Sequence, residues 1–222
     1  MFVHTFMTQK PTTVSPDTSF PQAVTILRKN KIRHLPVLDD GYLVGIVVEK
    51  DLLSNQPSQA TTLSVYEIYS LLENLRIRQI MTHPVITVEG DCPIEEAARI
   101  MVENQISCLP VMDGTTLVGI ITETDIFKVL VAVLGGQERG FRMTLRLPDK
   151  VGELAAISSQ IAEAGGNIVA VTTLHSPEIK KREVMIKEVG ANSDSLLNYI
   201  SNCGVEVVDL RTSEKYQPKL FG

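Results

Sequence analysis

The sequence has few cysteines, no excess of positive charge and no long apolar run, and each absence excludes a class of protein. Its 222 residues include three cysteines, Cys92, Cys108 and Cys203, which are scattered and never form a C-x-x-C pair. They frame neither a disulfide scaffold nor a zinc site, so a reducing, cytoplasmic location is expected. A formal net charge of −5 argues against a nucleic-acid surface built on bulk basicity.

Signals for export or membrane anchoring are also missing. The N-terminal stretch contains no apolar core long enough for a signal peptide. The longest apolar stretch, Val129 to Leu134, is too short to cross a membrane. The composition, with 44% hydrophobic and 21% charged residues, is typical of a soluble globular protein.

Catalytic motifs are absent as well. The histidines His4, His34, His83 and His175 form no metal cluster in the sequence. No triad spacing, Walker A loop or helix-turn-helix phrase occurs either. We therefore expect no enzymatic activity, no catalytic cofactor, no metal site, no nucleic-acid partner and no membrane partner.

What the sequence does contain is an internal repeat. Residues 7–51 align without a gap with residues 81–125, 74 positions later, and 19 of the 45 aligned pairs are identical. Unrelated segments would match at only a few positions, so this is a duplicated structural unit. We expect a pseudo-two-fold module with two related clefts, in which the differences between the copies indicate which cleft binds a ligand.

Each copy predicts an extended segment, a helix, two strands and a second helix. In the first copy, Ser19, Pro21 and Gln22 indicate a capping box at the start of a helix. Two short apolar runs, 35–38 and 43–48, flank a turn and predict paired strands. Between the copies, an apolar stripe at helical spacing predicts a linker helix.

The chain after Gly135-Gly136 has a different pattern. Alternating apolar residues predict a half-buried strand, and the helix that follows ends at Gly165-Gly166. The complete order is β-α-β-β-α-β, which is ferredoxin-like. Its remaining elements are predicted at 168–174, 182–188, 195–201 and 205–210.

The repeat resembles the CBS domain, named after cystathionine β-synthase. The resemblance lies in a Leu-Pro-Val-hydrophobic-Asp phrase followed by a glycine and, six residues later, an aspartate that begins a helix. In the second copy these are Leu109 to Asp113 and Gly119 to Asp125. In the first copy they are Leu35 to Asp39 and Gly45 to Asp51.

The tail resembles the ACT domain, a ferredoxin-like module that senses small molecules. Its Asp-x-Pro-Gly-x-Leu motif is represented by the segment Asp149 to Leu154, in which Val151 replaces the usual proline. A CBS pair (a Bateman module) followed by an ACT tail is similar to the AcuB family, associated with acetoin utilisation.

The predicted fold class is therefore α/β (α+β), a pseudo-two-fold tandem CBS-domain pair followed by a ferredoxin-like βαββαβ ACT domain. The predicted boundaries are 1–60 for CBS repeat 1, 61–76 for the linker helix, 77–134 for CBS repeat 2 and 139–214 for the ACT domain.

Paired CBS domains commonly bind adenosine-containing ligands, so the resemblance implies a nucleotide site. A carboxylate at the start of a helix can accept both ribose hydroxyls, and a threonine three residues earlier can bond ribose or phosphate. Only the second copy has both residues, Thr122 and Asp125, whereas the first has Val48 and Asp51. Losing one hydrogen bond of about 1 kcal/mol weakens binding about fivefold, which favours the second cleft.

Basic residues suggest a site shared by the two copies. Arg33 and His34 precede the Leu-Pro phrase of the first copy, where family members place basic residues toward phosphates, and Lys50 lies beside its aspartate. We predict ribose on Thr122 and Asp125, with phosphate near the three basic residues. The resemblance adds Gly119, Asp51, Thr13, Thr87 and Pro110 to the predicted nucleotide-binding residues.

Structural roles are the alternatives for several of these residues. Asp51 and Asp125 are also suited to helix N-caps, and Thr122 to satisfying a local backbone group. Gly45 and Gly119 are also suited to close strand packing.

The ACT resemblance implies a second ligand site, with Asp149, Gly152 and Asn167 as its residues. A dimerisation sheet is the alternative role for this domain.

The resulting functional prediction is a regulatory, non-enzymatic protein that senses an adenine nucleotide of the AMP, ADP or ATP type in the CBS pair. A small molecule such as an amino acid is the predicted ligand of the ACT domain. We also expect a homodimer that modulates a metabolic enzyme. The alternative is a scaffold or dimerisation protein whose CBS clefts are empty.

Overall fold

The structure is a computed structural model that describes residues 1–54, 65–175, 181–202 and 205–212. It contains two compact units, one ending at Phe127 and the other beginning at Lys128. The first unit holds both sequence repeats, and the second holds the ferredoxin-like tail.

The element order predicted for the two repeats is confirmed, with a short additional helix at the N-terminus. The first repeat comprises α1 (Val3–Phe6), β1 (Thr8–Gln9), α2 (Phe20–Asn30), β2 (His34–Asp39), β3 (Tyr42–Val48) and α3 (Glu49–Ser54). Helix α4 (Val65–Asn74) and a 3₁₀ turn (Ile77–Gln79) precede the second repeat. That repeat comprises β4 (Val88–Glu89), α5 (Ile94–Asn104), β5 (Cys108–Asp113), β6 (Thr116–Thr122) and α6 (Glu123–Val133).

Local sequence sets the ends of the longer helices. The Ser19 N–H donates to Gln22 Oε1 at 3.1 Å, as the predicted capping box requires. The residues that follow α2 and α5, Lys31 and the equivalent Gln105, both have a left-handed backbone (φ 53° and 55°). The two helices therefore end in the same way, at Asn30 and Asn104, although the residues that follow them differ.

The two strand pairs form the same hairpin. Strands β2 and β3 pair from His34↔Val48 to Asp39↔Tyr42, and β5 and β6 pair from Cys108↔Thr122 to Asp113↔Thr116. The register of each hairpin shifts at the same place, between Val37 and Leu38 in the first and between Val111 and Met112 in the second. Positions 74 residues apart are thus structurally equivalent.

Each repeat contributes its first strand segment to the hairpin of the other repeat. Strand β1 pairs with β6 through Thr8↔Ile120, and an isolated bridge joins Ile46 to Thr82. Ile46 and Ile120 also pack with Cys108 in a shared buried cluster. The two repeats consequently fold as one interlocked unit, which is why residues of both can line one cleft.

The second unit has the predicted βαββαβ order. Its elements are β7 (Phe141–Pro148), α7 (Glu153–Glu163), β8 (Asn167–His175), β9 (Lys181–Val189), α8 (Ser193–Asn202) and β10 (Glu206–Thr212). The strands form one antiparallel sheet in the order β10-β7-β9-β8. Alternate residues Met143, Leu145 and Leu147 of β7 pack in the core with Ile157 and Ile161 of α7.

A buried lysine holds the beginning of this unit. Lys187 on β9 is only 4% exposed, and its Nζ donates to the carbonyl oxygens of Gly135 at 2.6 Å and Glu138 at 2.5 Å. The backbone carbonyls compensate part of the cost of burying the ammonium group. The segment before β7 is thereby fixed to the sheet.

Candidate functional site

A cleft of about 360 Å³ lies between elements of the two repeats. We call it the Asp51 cleft. The first repeat contributes the end of β3 and the beginning of α3, and the second contributes its N-terminal segment and the beginnings of β5 and α6. The lining residues are Ile46, Val48, Lys50, Asp51, Thr82, Pro84, Val85, Ile86, Gln105, Ile106, Ser107, Cys108, Pro110 and Glu123.

The wall of the Asp51 cleft combines one oriented carboxylate with apolar side chains. The Val48 N–H donates to Asp51 Oδ2 at 3.1 Å. Asp51 therefore lies within the first turn of α3 and holds the residue before the helix, whereas the structural alternative expected it to be the N-cap itself. Ile46, Val85 and Pro110 supply apolar surface beside it. A concave, mostly apolar cleft with a few placed polar groups is typical of a small-molecule site.

The equivalent aspartate of the second repeat is held by an additional hydrogen bond. Asp125 Oδ2 accepts from the Thr122 N–H at 3.1 Å and from Thr122 Oγ1 at 2.7 Å. Asp125 is only 7% exposed, whereas Asp51 is half-buried. Thr122 therefore orients the carboxylate, a role that Val48 has no hydroxyl to perform.

The basic residues of the first repeat contact the second repeat. Arg33 Nη2 donates to Thr124 Oγ1 at 3.1 Å, next to Asp125. His34 Nε2 lies 2.8 Å from Ser107 Oγ, at hydrogen-bond distance. Burial, assisted by the charge of Arg33 and opposed by that of Asp125, lowers the pKa of His34 to about 4. The imidazole is therefore neutral near pH 7.

The predicted nucleotide-binding residues are thus distributed over two regions. The identical hairpin registers make the region around Asp125, with Thr122, Arg33 and His34, equivalent to the Asp51 cleft, and we call it the Asp125 cleft on that basis. Lys50 and Pro110 line the Asp51 cleft instead. Of the basic residues predicted to bind phosphate, Arg33 contacts Thr124 beside Asp125, whereas Lys50 lines the Asp51 cleft. Their roles in binding stay predictions.

The positions of the two threonines near the starts of the repeats, Thr13 and Thr87, do not assign them to a ligand site. Thr13 is half-buried and precedes Val14, which bridges to Val37 of β2. Thr87 is exposed and follows Ile86, which lines the Asp51 cleft. A ligand role for either residue stays a prediction.

The two glycines that are identical in the repeats, Gly45 and Gly119, face methionines. A Cβ at Gly119 would collide with the Met7 side chain, and a Cβ at Gly45 would collide with that of Met81. Both glycines therefore allow the start of one repeat to pack closely against the hairpin of the other. The sequence carries the signal for this contact, since Met7 and Met81 are themselves an identical pair of the repeat.

Other lining residues were not predicted to be functional. Glu123 is one of them, although its identity with Glu49 in the repeat was visible. Gln105, Ser107 and Cys108 are also in the wall, and burial raises the pKa of the Cys108 thiol to about 12. Cys108 is consequently a neutral, apolar-like part of the cleft.

The second unit has a cavity of its own, of about 350 Å³. Asp149 and Arg182 line it and form an ion pair at 2.9 Å. Gly152 precedes α7 with φ 95°, a backbone conformation that favours glycine, and a Cβ added there would meet open space. Asn167 pairs with Val189 at the opposite end of the sheet from Pro148, so the structure does not bring it together with Asp149.

The described residues hold neither a metal-binding cluster nor a helix suited to cross a membrane. In residues 1–54, 65–175, 181–202 and 205–212, no three His, Cys, Asp or Glu side chains are grouped to hold a metal ion. Across the same ranges, no helix combines the length and apolarity that a membrane crossing requires.

The duplicated, interlocked hairpin unit and its clefts define a tandem CBS pair, and comparison with known families agrees. The CBS domain model matches residues 3–58 and 77–132, and the TTHA0829-like ACT domain model matches residues 139–211. The chain belongs to the CBS-domain family, with a C-terminal ACT domain.

Several known proteins are similar to part of this chain. The uncharacterized protein MJ1426 of Methanocaldococcus jannaschii is 34% identical over 147 residues, covering 55% of this chain and 88% of the relative. A candidate acetoin utilization protein (AcuB) from Vibrio cholerae is 30% identical with a TM-score of 0.51, covering 62% of this chain and 95% of that one.

Two solved relatives contain adenosine compounds. The CBS domain pair of protein MJ0100, in complex with 5′-methylthioadenosine and S-adenosyl-L-methionine, is 31% identical with a TM-score of 0.50, covering 62% of this chain and 98% of that one. CBSX2 in complex with AMP is 29% identical with a TM-score of 0.50, covering 59% of this chain and 96% of that one. These two similar proteins thus have adenosine ligands with and without a phosphate.

Proposed function

We propose that this chain is a non-enzymatic regulatory protein that senses an adenosine-containing ligand in its CBS pair. The observation that carries the proposal is the Asp51 cleft, where a carboxylate lies beside apolar surface contributed by both repeats. Its 360 Å³ volume falls in the range of small-molecule sites. The adenosine complexes of the similar MJ0100 and CBSX2 pairs support the same ligand class.

The chemistry of recognition follows from the side chains. Carboxylate oxygens accept hydrogen bonds, so Asp51 and Asp125, each oriented by a backbone N–H, are suited to accept from the two ribose hydroxyls. Apolar residues such as Ile46 and Val85 offer a surface on which a purine ring can lie. Because both repeats line the cleft, a bound ligand favours one arrangement of the repeats, which is the differential affinity that a sensor needs.

The test is isothermal titration of the full chain with AMP, ADP, ATP and S-adenosylmethionine. We expect binding of at least one ligand, and its loss or strong weakening in Asp51→Ala or Asp125→Ala. A matched control is Asp113→Ala, which removes an aspartate of the repeat that does not line the Asp51 cleft. Silence from every ligand, with unchanged thermal stability, would instead support the scaffold alternative.

The cavity of the second unit supports a second sensing site. Arg182 and Asp149 place opposite charges at one cavity, an arrangement suited to the carboxylate and ammonium groups of an amino acid. The homodimer is proposed on the same unit, because β8 and β10 are the edge strands of its sheet. The proposal further includes that the protein modulates a metabolic enzyme and that it is located in the cytoplasm.

A further inference from the structure

The two clefts of the CBS pair are built from equivalent positions but carry different charges. Equivalence is established by the identical hairpin registers, in which His34↔Val48 corresponds to Cys108↔Thr122. Each residue that lines the Asp51 cleft therefore has a counterpart, 74 positions away, at the Asp125 cleft. The charged residues in the two sets therefore show how the electrostatic potential that a ligand meets differs between the clefts.

The Asp51 cleft has one net negative charge. Its lining includes two carboxylates, Asp51 and Glu123, and one ammonium group, Lys50. The remaining lining residues are uncharged, and Val85 and Ile86 make the N-terminal segment of the second repeat apolar.

The Asp125 cleft has one net positive charge. Asp125 and Glu49 are the counterparts of the two carboxylates in the Asp51 cleft, Asp51 and Glu123. Three cations, Lys10, Lys31 and Arg33, occupy the positions equivalent to uncharged residues of the other cleft. Those uncharged residues are Pro84, Gln105 and Ser107.

The backbone supports this assignment of the cations. The Arg33 guanidinium donates to Thr124, the residue before Asp125. The Lys10 N–H donates to Val118 O at 3.2 Å, which fixes its backbone beside β6. Lys31 adopts the same left-handed conformation as its counterpart Gln105.

We propose that the two clefts bind adenosine ligands of different charge. The Asp125 cleft takes a ligand with a 5′-phosphate, and the Asp51 cleft takes one whose 5′ group is neutral or cationic, such as a thioether or a sulfonium. This inference rests on the proposed function and names the ligand class of each cleft. The basis is the difference of two charges between the clefts. The net positive charge at the Asp125 cleft attracts a phosphate dianion, whereas the net negative charge at the Asp51 cleft repels it.

The experiment compares AMP with 5′-methylthioadenosine, in which an uncharged thioether replaces the phosphate. Both are titrated into the full chain and into Asp51→Asn and Asp125→Asn. We expect Asp125→Asn to lower the affinity for AMP about tenfold, because it removes the charged acceptor of the ribose hydroxyls, and to leave the affinity for 5′-methylthioadenosine, bound at the other cleft, within about twofold. Asp51→Asn should have the reverse effect. AMP binding should also weaken as salt is raised, and thioether binding should not.

Surface charge variants provide a matched pair that preserves the carboxylates. Lys31→Gln installs the counterpart residue at an exposed helix end, where the left-handed backbone already accepts Gln in the other repeat. We expect it to weaken AMP about threefold. Gln105→Lys is the reciprocal change and should strengthen AMP binding at the Asp51 cleft by a similar factor.

The possible outcomes separate the inference from the proposed function. If AMP weakens equally in both aspartate variants, or if the two ligands compete for one cleft, the charge assignment is wrong while adenosine sensing stands. If neither ligand binds the unaltered chain, the proposed function fails and the inference fails with it. Thermal melts identify any aspartate variant that does not fold. In that case Lys31→Gln and Gln105→Lys, through their effects on AMP affinity, test the charge assignment.

Discussion

The two repeats agree where the backbone is constrained and differ where a ligand would make contact. Both have the same hairpin register, the same left-handed residue after the first helix and a glycine that accommodates a methionine of the other repeat. Their differences include two exposed cations of the first repeat, Lys31 and Arg33, which stand opposite the uncharged Gln105 and Ser107. Duplication thus preserves the packing and leaves cleft chemistry free to diverge, because changing an exposed side chain costs little stability.

The comparison also separates the two aspartates. Asp125 is buried and accepts a hydrogen bond from the Thr122 hydroxyl, whereas Asp51 is half-buried and lies in an open cleft. One cleft therefore has the better oriented carboxylate and the other has more accessible apolar surface. Three predictions test how far the equivalence of the repeats extends, beginning with the largest expected effect.

The first prediction uses His34, whose counterpart Cys108 does not titrate in acid. The folded pKa of His34 is lowered from 6.5 to about 4, so the unfolded chain binds its proton more readily. Stability present above pH 6.5 should therefore be lost as the pH falls toward 4, by about 3 kcal/mol. The charged groups that act on it are Arg33 and Asp125.

Urea unfolding of the full chain at pH 7 and at pH 4 measures this loss. His34→Gln retains a group able to hydrogen-bond Ser107 but cannot titrate, so it should lose less stability than the unaltered chain over that range. His4→Gln, at an exposed histidine, is the control and should keep the full loss. Equal acid sensitivity of His34→Gln and the unaltered chain would show that other groups dominate.

The second prediction tests the glycine–methionine contacts. Gly119→Ala forces a Cβ into Met7, and Gly45→Ala forces one into Met81. Each should lower the free energy of unfolding by about 2 kcal/mol, because overpacking displaces a side chain from a well-packed site. Equal costs would establish that the two interlocking contacts are energetically equivalent.

Controls for the second prediction come from the same contacts. Gly90→Ala is milder, because a Cβ there would lie 3.3 Å from His4 Cβ. In a double-mutant cycle, Met7→Val should reduce the cost of Gly119→Ala, since the two residues are in direct contact. Additive effects of Met7→Val and Gly119→Ala would contradict the proposed contact.

Local patterns predicted most of the fold. The capping box of Ser19 and Gln22, the alternation in β7 and the apolar hairpin runs all depend on residues close in sequence. Periodicity and turn chemistry act over such distances, and they set elements whose ends agree with the structure within a few residues. The repeat then implied the pseudo-two-fold arrangement without any knowledge of packing.

The site depended on contacts that no local pattern contains. That Lys50 lies at one cleft and Arg33 at the other is decided by how segments 74 residues apart interlock. The same holds for the methionine over each glycine, and for Asn167, which lies at the far end of its sheet from Asp149. Residue types therefore indicated the chemistry, and tertiary packing decided which residues share a cleft.

The third and smallest effect concerns Thr122 and its counterpart Val48. Thr122→Val removes the hydroxyl that donates to Asp125 and makes the second repeat resemble the first. We expect a loss of about 1 kcal/mol in the free energy of unfolding, the usual value for one hydrogen bond to a buried acceptor. AMP affinity should fall about fivefold at the same time, because the carboxylate loses its orientation.

Val48→Thr is the reciprocal variant and distinguishes orientation from simple loss of a contact. If the hydroxyl acts by orienting the adjacent carboxylate, this change should improve ligand binding at the Asp51 cleft, where the Val48 N–H already donates to Asp51. If Thr122→Val reduced stability but left AMP affinity unchanged, the threonine would be a structural cap alone. The asymmetry between the two clefts would then depend on their charges and not on the hydrogen bonding of their aspartates.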